Sequence, residues 1–339
     1  MQEINLIEAV RQAMYEEMDR DQSVFILGED IGVRGGVFLA TDGFLEAFGA
    51  SRVIDTPISE SAIAGVALGA AMRGMRPIAE IEFADFIWPV FNQILGEAAR
   101  LRYGTEGKLR APLVLRAPYG GGIRGGLYHS QSPEAYFAHT PGLKVVAPAT
   151  PFDAKGLLKT AIRDDDPVIF LEHKKTYRLV KGEVPDNDYS IPLGKAEVKK
   201  VGNDITVITY GLMLHYVLQA AEECKNFGIN VEVLDLRSLR PIDSETIVQS
   251  VKKTGRALIV QEDTRAISVS SEVAAIIAEE CFFDLDAPIK RLTPIEIPPM
   301  PFSPIQEAEY MPSKIKIVKG IIILNIVTKR FATFLIFLL

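Results

Sequence analysis

The residue best placed to do chemistry is Glu60, at the head of an almost wholly apolar segment in residues 55–86, DTPISESAIAGVALGAAMRGMRPIAEIEFADF. A carboxyl at the edge of an apolar cleft tends to hold its proton to higher pH, and an acid held protonated near neutrality is useful for proton transfer. The same position has a structural reading, because acidic residues are favoured at helix N-termini. His129 is the second candidate, within residues 118–142, PYGGGIRGGLYHSQSPEAYFAHTPG. This stretch of about twenty-five residues lacks strong periodicity, and loops of that length in compact domains are usually functional or mobile. Flanked by Tyr128, Ser130 and Gln131 after a Gly-Gly pair, His129 could deliver a proton to a substrate. A loop histidine is as readily a structural group, the reading given to His139. Glu29 and Asp30 follow a short apolar run, where they face either a sheet crevice or solvent. Asp164, Asp165 and Asp166 before Pro167 could hold a cation, although a solvated turn is the reading the residues alone favour.

The elements that must position these groups alternate between strand and helix. Pro57 biases its predecessor to extended geometry, and Ser59 can cap a helix whose residues are apolar or small on every side, which predicts burial. Gly65, Gly69 and the surrounding alanines leave room for another helix or subunit to approach closely. Residues 23–27, 77–83, 111–117, 144–147 and 168–172 read as strands, and residues 86–103 and 151–163 as helices, the latter with Pro at its first turn. Residues 173–202 read as a polar, irregular linker. A second series follows, with strands at 204–210, 230–236 and 256–261 and helices at 213–227, 244–254 and 269–281. The alternation predicts two open, largely parallel α/β sheets. No catalytic cluster stands out in the second series, where His215 reads as a core or interface histidine.

The chain has 339 residues, 48% hydrophobic and 24% charged, with a net charge of -7, and is expected to hold about two globular domains. The charge and the lack of a Lys/Arg stripe argue against nucleic-acid binding. Cys224 and Cys281 lie outside any metal-ligand spacing and read as reduced packing residues. The glycine loop after residue 28 fits neither the dinucleotide nor the P-loop pattern. The N-terminal 20 residues form an acidic amphipathic pattern rather than an export signal, so a cytoplasmic location is expected. The ending GIIILNIVTKRFATFLIFLL is unusual for an α/β domain, yet Lys329 and Arg330 would sit at its centre, so no membrane helix is expected.

Taken together, DTPISES, EIEFADFIWP, GGLYHSQSPEAYFAHTPGLKVV, AIRDDDP and EVLDLRSLRPID resemble the beta subunits of thiamine-diphosphate-dependent 2-oxoacid dehydrogenases, most of all the branched-chain (2-oxoisovalerate) type. The resemblance covers approximately residues 4–318. It implies a pyrimidine-binding domain (1–187), a transketolase C-terminal-like domain (188–320) and an anomalous apolar tail (321–339). It further implies an alpha2-beta2 heterotetramer that decarboxylates a 2-oxoacid and passes the acyl unit to lipoamide on an acyltransferase core. Glu60 would hydrogen-bond the aminopyrimidine N1', and Phe86 would stack on that ring. Glu29, Ile58, Ser59, Glu82, Ile87, Trp88 and Pro89 would line the cofactor. Phe83, Ala84, Asp85, Phe86 and His129 would meet substrate, with His129 the proton source in reductive acylation. A structural potassium ion would rest on carbonyls of Leu113, Ala161, Ile162 and Asp164, with Asp166 beside them. The family's GDG-type diphosphate and magnesium motif is absent, so Mg2+ would be held mainly by the alpha subunit. Two departures stand out: Glu82 where close relatives resemble Gln, and a tail after Gly320 that does not follow the family's final helix. The alternatives are a pyruvate or acetoin dehydrogenase beta subunit, or a relative that keeps the fold as a scaffold or at a membrane without the chemistry.

Overall fold

Short Val- and Ile-rich runs separated by helical periodicity give two open sheets, each in its own compact unit. A computed structural model describes residues 1–298 and 300–336, with side chains of the closing helix described to Ile326. The first unit is Met1–Leu193 with Ser238–Pro241, and the second is Gly194–Arg237 with Ile242–Leu339. Along the first run β1 (Gln2–Asn5), α1 (Leu6–Arg20), β2 (Val24–Gly28), α2 (Phe44–Phe48), β3 (Val53–Asp55), α3 (Glu60–Met72), β4 (Arg76–Glu80), α4 (Ala99–Gly104), β5 (Val114–Tyr119), α5 (Glu134–Ala138), β6 (Lys144–Val146), α6 (Pro151–Arg163), β7 (Val168–His173), α7 (Thr176–Leu179) and β8 (Lys181–Val184). The remainder holds β9 (Glu197–Lys200), β10 (Ile205–Thr209), α8 (Leu212–Cys224), β11 (Val231–Asp235), β12 (Ser238–Arg240), α9 (Ser244–Thr254), β13 (Ala257–Val260), α10 (Val269–Glu280), β14 (Lys290–Leu292), α11 (Pro304–Tyr310) and α12 (Lys314–Ile336).

The larger sheet has the order β12-β6-β7-β5-β4-β2-β3 and belongs to the first unit. It is parallel except at β12, which runs antiparallel to β6. The second unit carries β14-β13-β10-β11-β9, parallel except at β9. Strands buried on both faces read as continuous apolar runs, and β2, β5 and β7 are buried throughout. The first unit's core is closed by α1 on α6. Asn5 caps α1 in a reciprocal pair with Glu8 and starts a helix that buries Leu6, Val10, Met14 and Met18. Lys155 and Lys159 of α6 bind Glu16 at 2.6 and 2.7 Å across that seam.

Four expectations change. Residues 86–103 are not one helix: 3-10 turns at Ala84–Phe86 and Trp88–Val90 lead into a π turn at Asn92–Ala98 and then α4. Pro89 lacks a backbone donor and interrupts regular winding. The polar stretch 173–202 contains α7, β8 and β9, and β8 pairs with β1. These edge strands alternate in exposure, so no apolar run marks them. Helix α3 is apolar all round but covered on one side only, with Ile63, Ala64, Ala67 and Leu68 buried while Val66 is 55% exposed.

The start of the tail, as far as Leu324, packs within the second unit. Helix α12 passes through Gly320 without a break and packs on α8, burying Ile317, Ile321 and Leu324. A Cβ at Gly320 would lie 3.5 Å from Leu258, an ordinary contact, which places this turn of the helix against β13. Among the described residues no helix is long and apolar enough to cross a membrane. Residues 337–339 of the tail lie outside the described residues. Burying an aliphatic side chain stabilises by about 1.5 to 3 kcal/mol. A chain ending at Gly320 should therefore melt at least about 5 °C below one ending at Ile326 in thermal denaturation. Equal melting temperatures would show that the tail adds nothing to the fold.

Candidate active site

Chain order in the larger sheet reverses at β2, since β3 is laid on one side of it and β4 on the other. Ligands of open α/β sheets bind beyond the carboxyl ends of the strands at such a switch point. Gly28, the last residue of β2, is paired with both Asp55 and Glu80. A Cβ at Gly28 would lie 2.8 Å from the Glu80 carbonyl oxygen, so glycine permits the close approach there. Glu29 is the first residue beyond β2, Glu82 stands just beyond β4, and Glu60 opens α3, the helix that crosses from β3 to β4. Ser59 occupies the N-cap but donates and accepts no capping side-chain bond. The neighbouring glycine loop is fixed by Gly32 N–H donating to Asp55 Oδ1 at 2.6 Å and Thr41 Oγ1 donating to the Ile31 carbonyl at 2.6 Å.

Burial and neighbouring carboxylates together set the electrostatics. Burial first, then the charges of Glu60, Glu82 and Asp30, push the Glu29 carboxyl up to about 7. Glu82 is also raised, mainly by burial and then by Asp30, while His129 opposes the shift and Glu60 adds to it. Glu29 and Glu82 therefore hold their protons more readily than free glutamates do.

An aromatic wall borders these acids. The His129 ring meets Phe83 edge-on at 4.7 Å and Phe86 at 5.5 Å. Phe38 packs on Phe83 at 5.7 Å, and Lys174 Nζ lies 5.7 Å from the Phe83 ring centroid while donating to the Pro118 carbonyl at 3.2 Å. Ser61 Oγ donates to the Pro89 carbonyl at 2.9 Å, tying the first turn of α3 to the 3-10 turns. Ile58 and Trp88 are exposed, as is Pro89, and Trp88 meets Tyr136 edge-on at 5.2 Å. Ala84, Asp85 and Ile87 are buried. Their side chains therefore present little surface to the crevice. Asp85 instead faces the histidine loop, where its Oδ1 accepts from the backbone N–H groups of Ser130 and Gln131, both at 3.0 Å. His139 is exposed and His215 half-buried on α8.

Beneath the crevice lies a network that apolar patterning passes over. Arg116 on β5 is buried between Glu80 of β4 and Glu172 of β7. It donates to Glu80 from Nη1 at 2.5 Å and to Glu172 from Nε and Nη2 at 2.6 and 2.7 Å. Tyr177 Oη donates to Glu172 at 2.7 Å. The signal available in the sequence was a charged residue inside each of three apolar runs, RPIAE, VLRAPY and VIFLEH.

The cation set sits away from this crevice, in the turn between α6 and β7. Arg76 Nη1 donates to the Ile162 and Asp164 carbonyls at 3.1 and 2.8 Å. The carbonyls of Leu113 and Ala161 accept backbone N–H groups of Val168 and Asp164 at 3.0 and 3.3 Å. Lys144 binds the Asp164 carboxylate, Arg76 and Arg110 bind Asp165, and Arg102 binds Asp166. The three acids are thus matched by basic side chains of the same unit.

A doubly wound sheet with acids at its switch point, followed by a second parallel sheet, defines a transketolase-like pair of domains. Residues 2–180 match the transketolase pyrimidine-binding domain and residues 194–317 the transketolase C-terminal domain. A split-gene transketolase, solved as an inactive beta4 tetramer, superposes with a TM-score of 0.78 at 23% identity over 96% of this chain and 99% of that one, a likeness of fold. The 2-oxoisovalerate dehydrogenase subunit beta of Bacillus subtilis is 59% identical over 318 residues, 93% of this chain and 97% of that protein. The pyruvate dehydrogenase E1 component subunit beta of Staphylococcus epidermidis is 48% identical over 86% of this chain and 90% of that protein. The chain belongs to the family of 2-oxoacid dehydrogenase beta subunits.

The Glu29 shift has a measurable consequence. Its folded value, about 7, lies above the ordinary 4.5, so the folded chain binds the proton more tightly than the unfolded chain. That contribution to stability is full below about pH 4.5 and is lost as pH rises through about 7. Glu29→Gln should raise the melting temperature relative to the parent at pH 8 and give no such gain at pH 4.5. A gain of the same size at both pH values would contradict the crowding.

Proposed function

We propose that the chain is the beta subunit of the decarboxylating component of a branched-chain 2-oxoacid dehydrogenase complex, working in the cytoplasm with an alpha subunit in an alpha2-beta2 heterotetramer. The observation that carries this reading is the set Glu29, Glu60 and Glu82 at one switch point, with the Glu29 carboxyl raised to about 7 and His129, which acts on Glu82, set against the Phe86 ring. A carboxyl raised to about 7 among other acids, close to a half-buried aromatic ring, fits an aminopyrimidine ring bearing a basic nitrogen. The 2-oxoisovalerate assignment rests on the likeness to the Bacillus subtilis protein of that name.

Thiamine diphosphate, when bound, supplies the electron sink through which a 2-oxoacid loses carbon dioxide. Glu60 holds a proton at the ring nitrogen of the aminopyrimidine, and Phe86 offers the surface on which that ring stacks. Glu29, Ser59 and Glu82, with Ile58 and the main chain at Ile87, Trp88 and Pro89, line the same half of the site. The Phe83 ring and the turn through Ala84 bound the acyl chain. His129 provides the proton for transfer of the acyl unit to a lipoyl group of the acyltransferase core. In this reading residues 1–187 carry the pyrimidine half and residues 188–320 the C-terminal domain. Mg2+ belongs to the diphosphate half on the alpha subunit, because the GDG-type motif that would hold it is absent from this sequence. The carbonyls at the end of α6 draw positive charge, which Arg76 already supplies to two of them. A potassium ion there shares those acceptors with the guanidinium and stabilises the turn without entering the chemistry.

Reconstitution tests the reading. Alone, the chain should release no carbon dioxide from 2-oxoacids. With its alpha chain, thiamine diphosphate and Mg2+, it should do so faster from 2-oxoisovalerate than from pyruvate. Glu60→Gln should lower the rate about 100-fold or more while the tetramer still assembles. Replacing potassium by choline should lower the melting temperature, and an unchanged value would show that the basic side chains alone supply the positive charge of the turn. Activity of the isolated chain, or near-normal turnover of the Gln variant, would defeat the reading. A preference for pyruvate would overturn only the branched-chain assignment.

A further inference from the structure

Asp85 is set apart from its neighbours in the turn. The flanking rings of Phe83 and Phe86 point to His129, at 4.7 and 5.5 Å, whereas Asp85 is buried at 6% exposure and reaches the main chain just beyond that histidine. Its Oδ1 accepts from both Ser130 N–H and Gln131 N–H at 3.0 Å. The rest of the loop closes on itself and on β5. Gln131 Nε2 donates to the Leu127 carbonyl at 2.9 Å, and Gly120 N–H donates to the Gln131 carbonyl at 2.9 Å. One carboxylate oxygen thereby pins two consecutive amides, and the two aromatic residues on either side of that carboxylate hold the imidazole edge-on.

We propose that Asp85 is the positioning residue of His129, fixing the height and direction of its imidazole at the crevice through the paired amides of Ser130 and Gln131. The physical reason is that a charged acceptor makes stronger bonds to backbone N–H groups than a neutral one. Removing it would leave two buried or half-buried donors unsatisfied, and such a segment moves to find water. The imidazole would then lose its place between Phe83 and Phe86. The isosteric Asn keeps an oxygen that can accept both amides, so it should act as the conservative rescue. The inference rests on the reading of His129 as proton donor in acyl transfer.

The test compares parent, Asp85→Ala and Asp85→Asn chains, each assembled with the alpha subunit. Two half-reactions are followed: decarboxylation with a dye as electron acceptor, and acylation of a free lipoyl domain. Hydrogen exchange over residues 127–133 is recorded on the same samples. For Asp85→Ala the ratio of acylation to decarboxylation should fall at least tenfold, through kcat rather than through KM for the lipoyl domain, and exchange at residues 130 and 131 should quicken. Asp85→Asn should restore the ratio to within threefold of the parent. An unchanged ratio, or a loss that Asn does not restore, overturns the proposal. If Asp85→Ala fails to assemble, parent exchange decides: residues 130 and 131 exchanging as fast as exposed Leu127 and Tyr128 overturns it, and slow exchange there supports it. A parent tetramer with neither half-reaction would defeat the functional reading instead, which separates the two failures.

Discussion

The first unit depends on a guanidinium that has no access to water. Arg116 sits in the middle of the larger sheet and joins β4 to β7 through Glu80 and Glu172, with Tyr177 completing the shell of the second acid. Desolvation opposes every charge in that group, and it is tolerated because each charge is met at hydrogen-bond distance. Two carboxyls face one guanidinium, and burial pushes Glu80 up while Arg116 pulls it down. Removing one partner from such a group costs about 3 to 5 kcal/mol, because it strands a buried charge. The network therefore holds β4, β5 and β7 in one register, and the residues that leave the ends of β4 and β5 inherit that register.

The crevice above takes its character from what leaves those strands. Glu82 and the Phe83–Phe86 turn follow β4, and the histidine loop follows β5, held to it by the Gly120 amide on the Gln131 carbonyl. From the other side of the switch point come Glu29 after β2 and Glu60 at the head of α3. Burial, added to by the crowding of acids where helix and strand ends converge, raises the proton affinity of Glu29 and Glu82. In the proposed function that affinity is the working property of the site, since an aromatic base binds best where a proton is available to share. The open side of α3, with Val66 more than half exposed, is consistent with a chain that supplies one part of a larger assembly.

Much of this was legible in the residues. Helices Pro151–Arg163 and Ser244–Thr254 begin and end where their caps and prolines put them, because Thr150 and Asp243 accept first-turn amides and Pro151 can open a helix but not continue one. Glu60 and His129 could be singled out from the apolar run and the glycine-rich loop, although until the family resemblance was weighed the structural reading was the stronger for Glu60 and as good for His129. The Arg116 network was not legible, since single charges inside apolar strands reveal their partners only when parallel neighbours are in register. Asp85 was hidden for a related reason: its bonds run to backbone amides 45 and 46 residues away, which no side-chain motif encodes. The packing of the first tail residues was not legible in composition, which resembles nothing in the rest of the chain, whereas burial of Ile321 and Leu324 depends only on helical phase continuing from Lys314.

In the proposed function this chain brings to a site shared with the alpha subunit a cluster of acids with a proton to exchange. Calorimetric titration of thiamine diphosphate into the assembled tetramer, repeated in buffers of different ionisation enthalpy, counts the protons exchanged on binding. A fractional exchange that varies between pH 6 and pH 8, and shrinks when Glu29 is replaced by Gln, is the result this account predicts. Binding with no proton exchange across that range would contradict it.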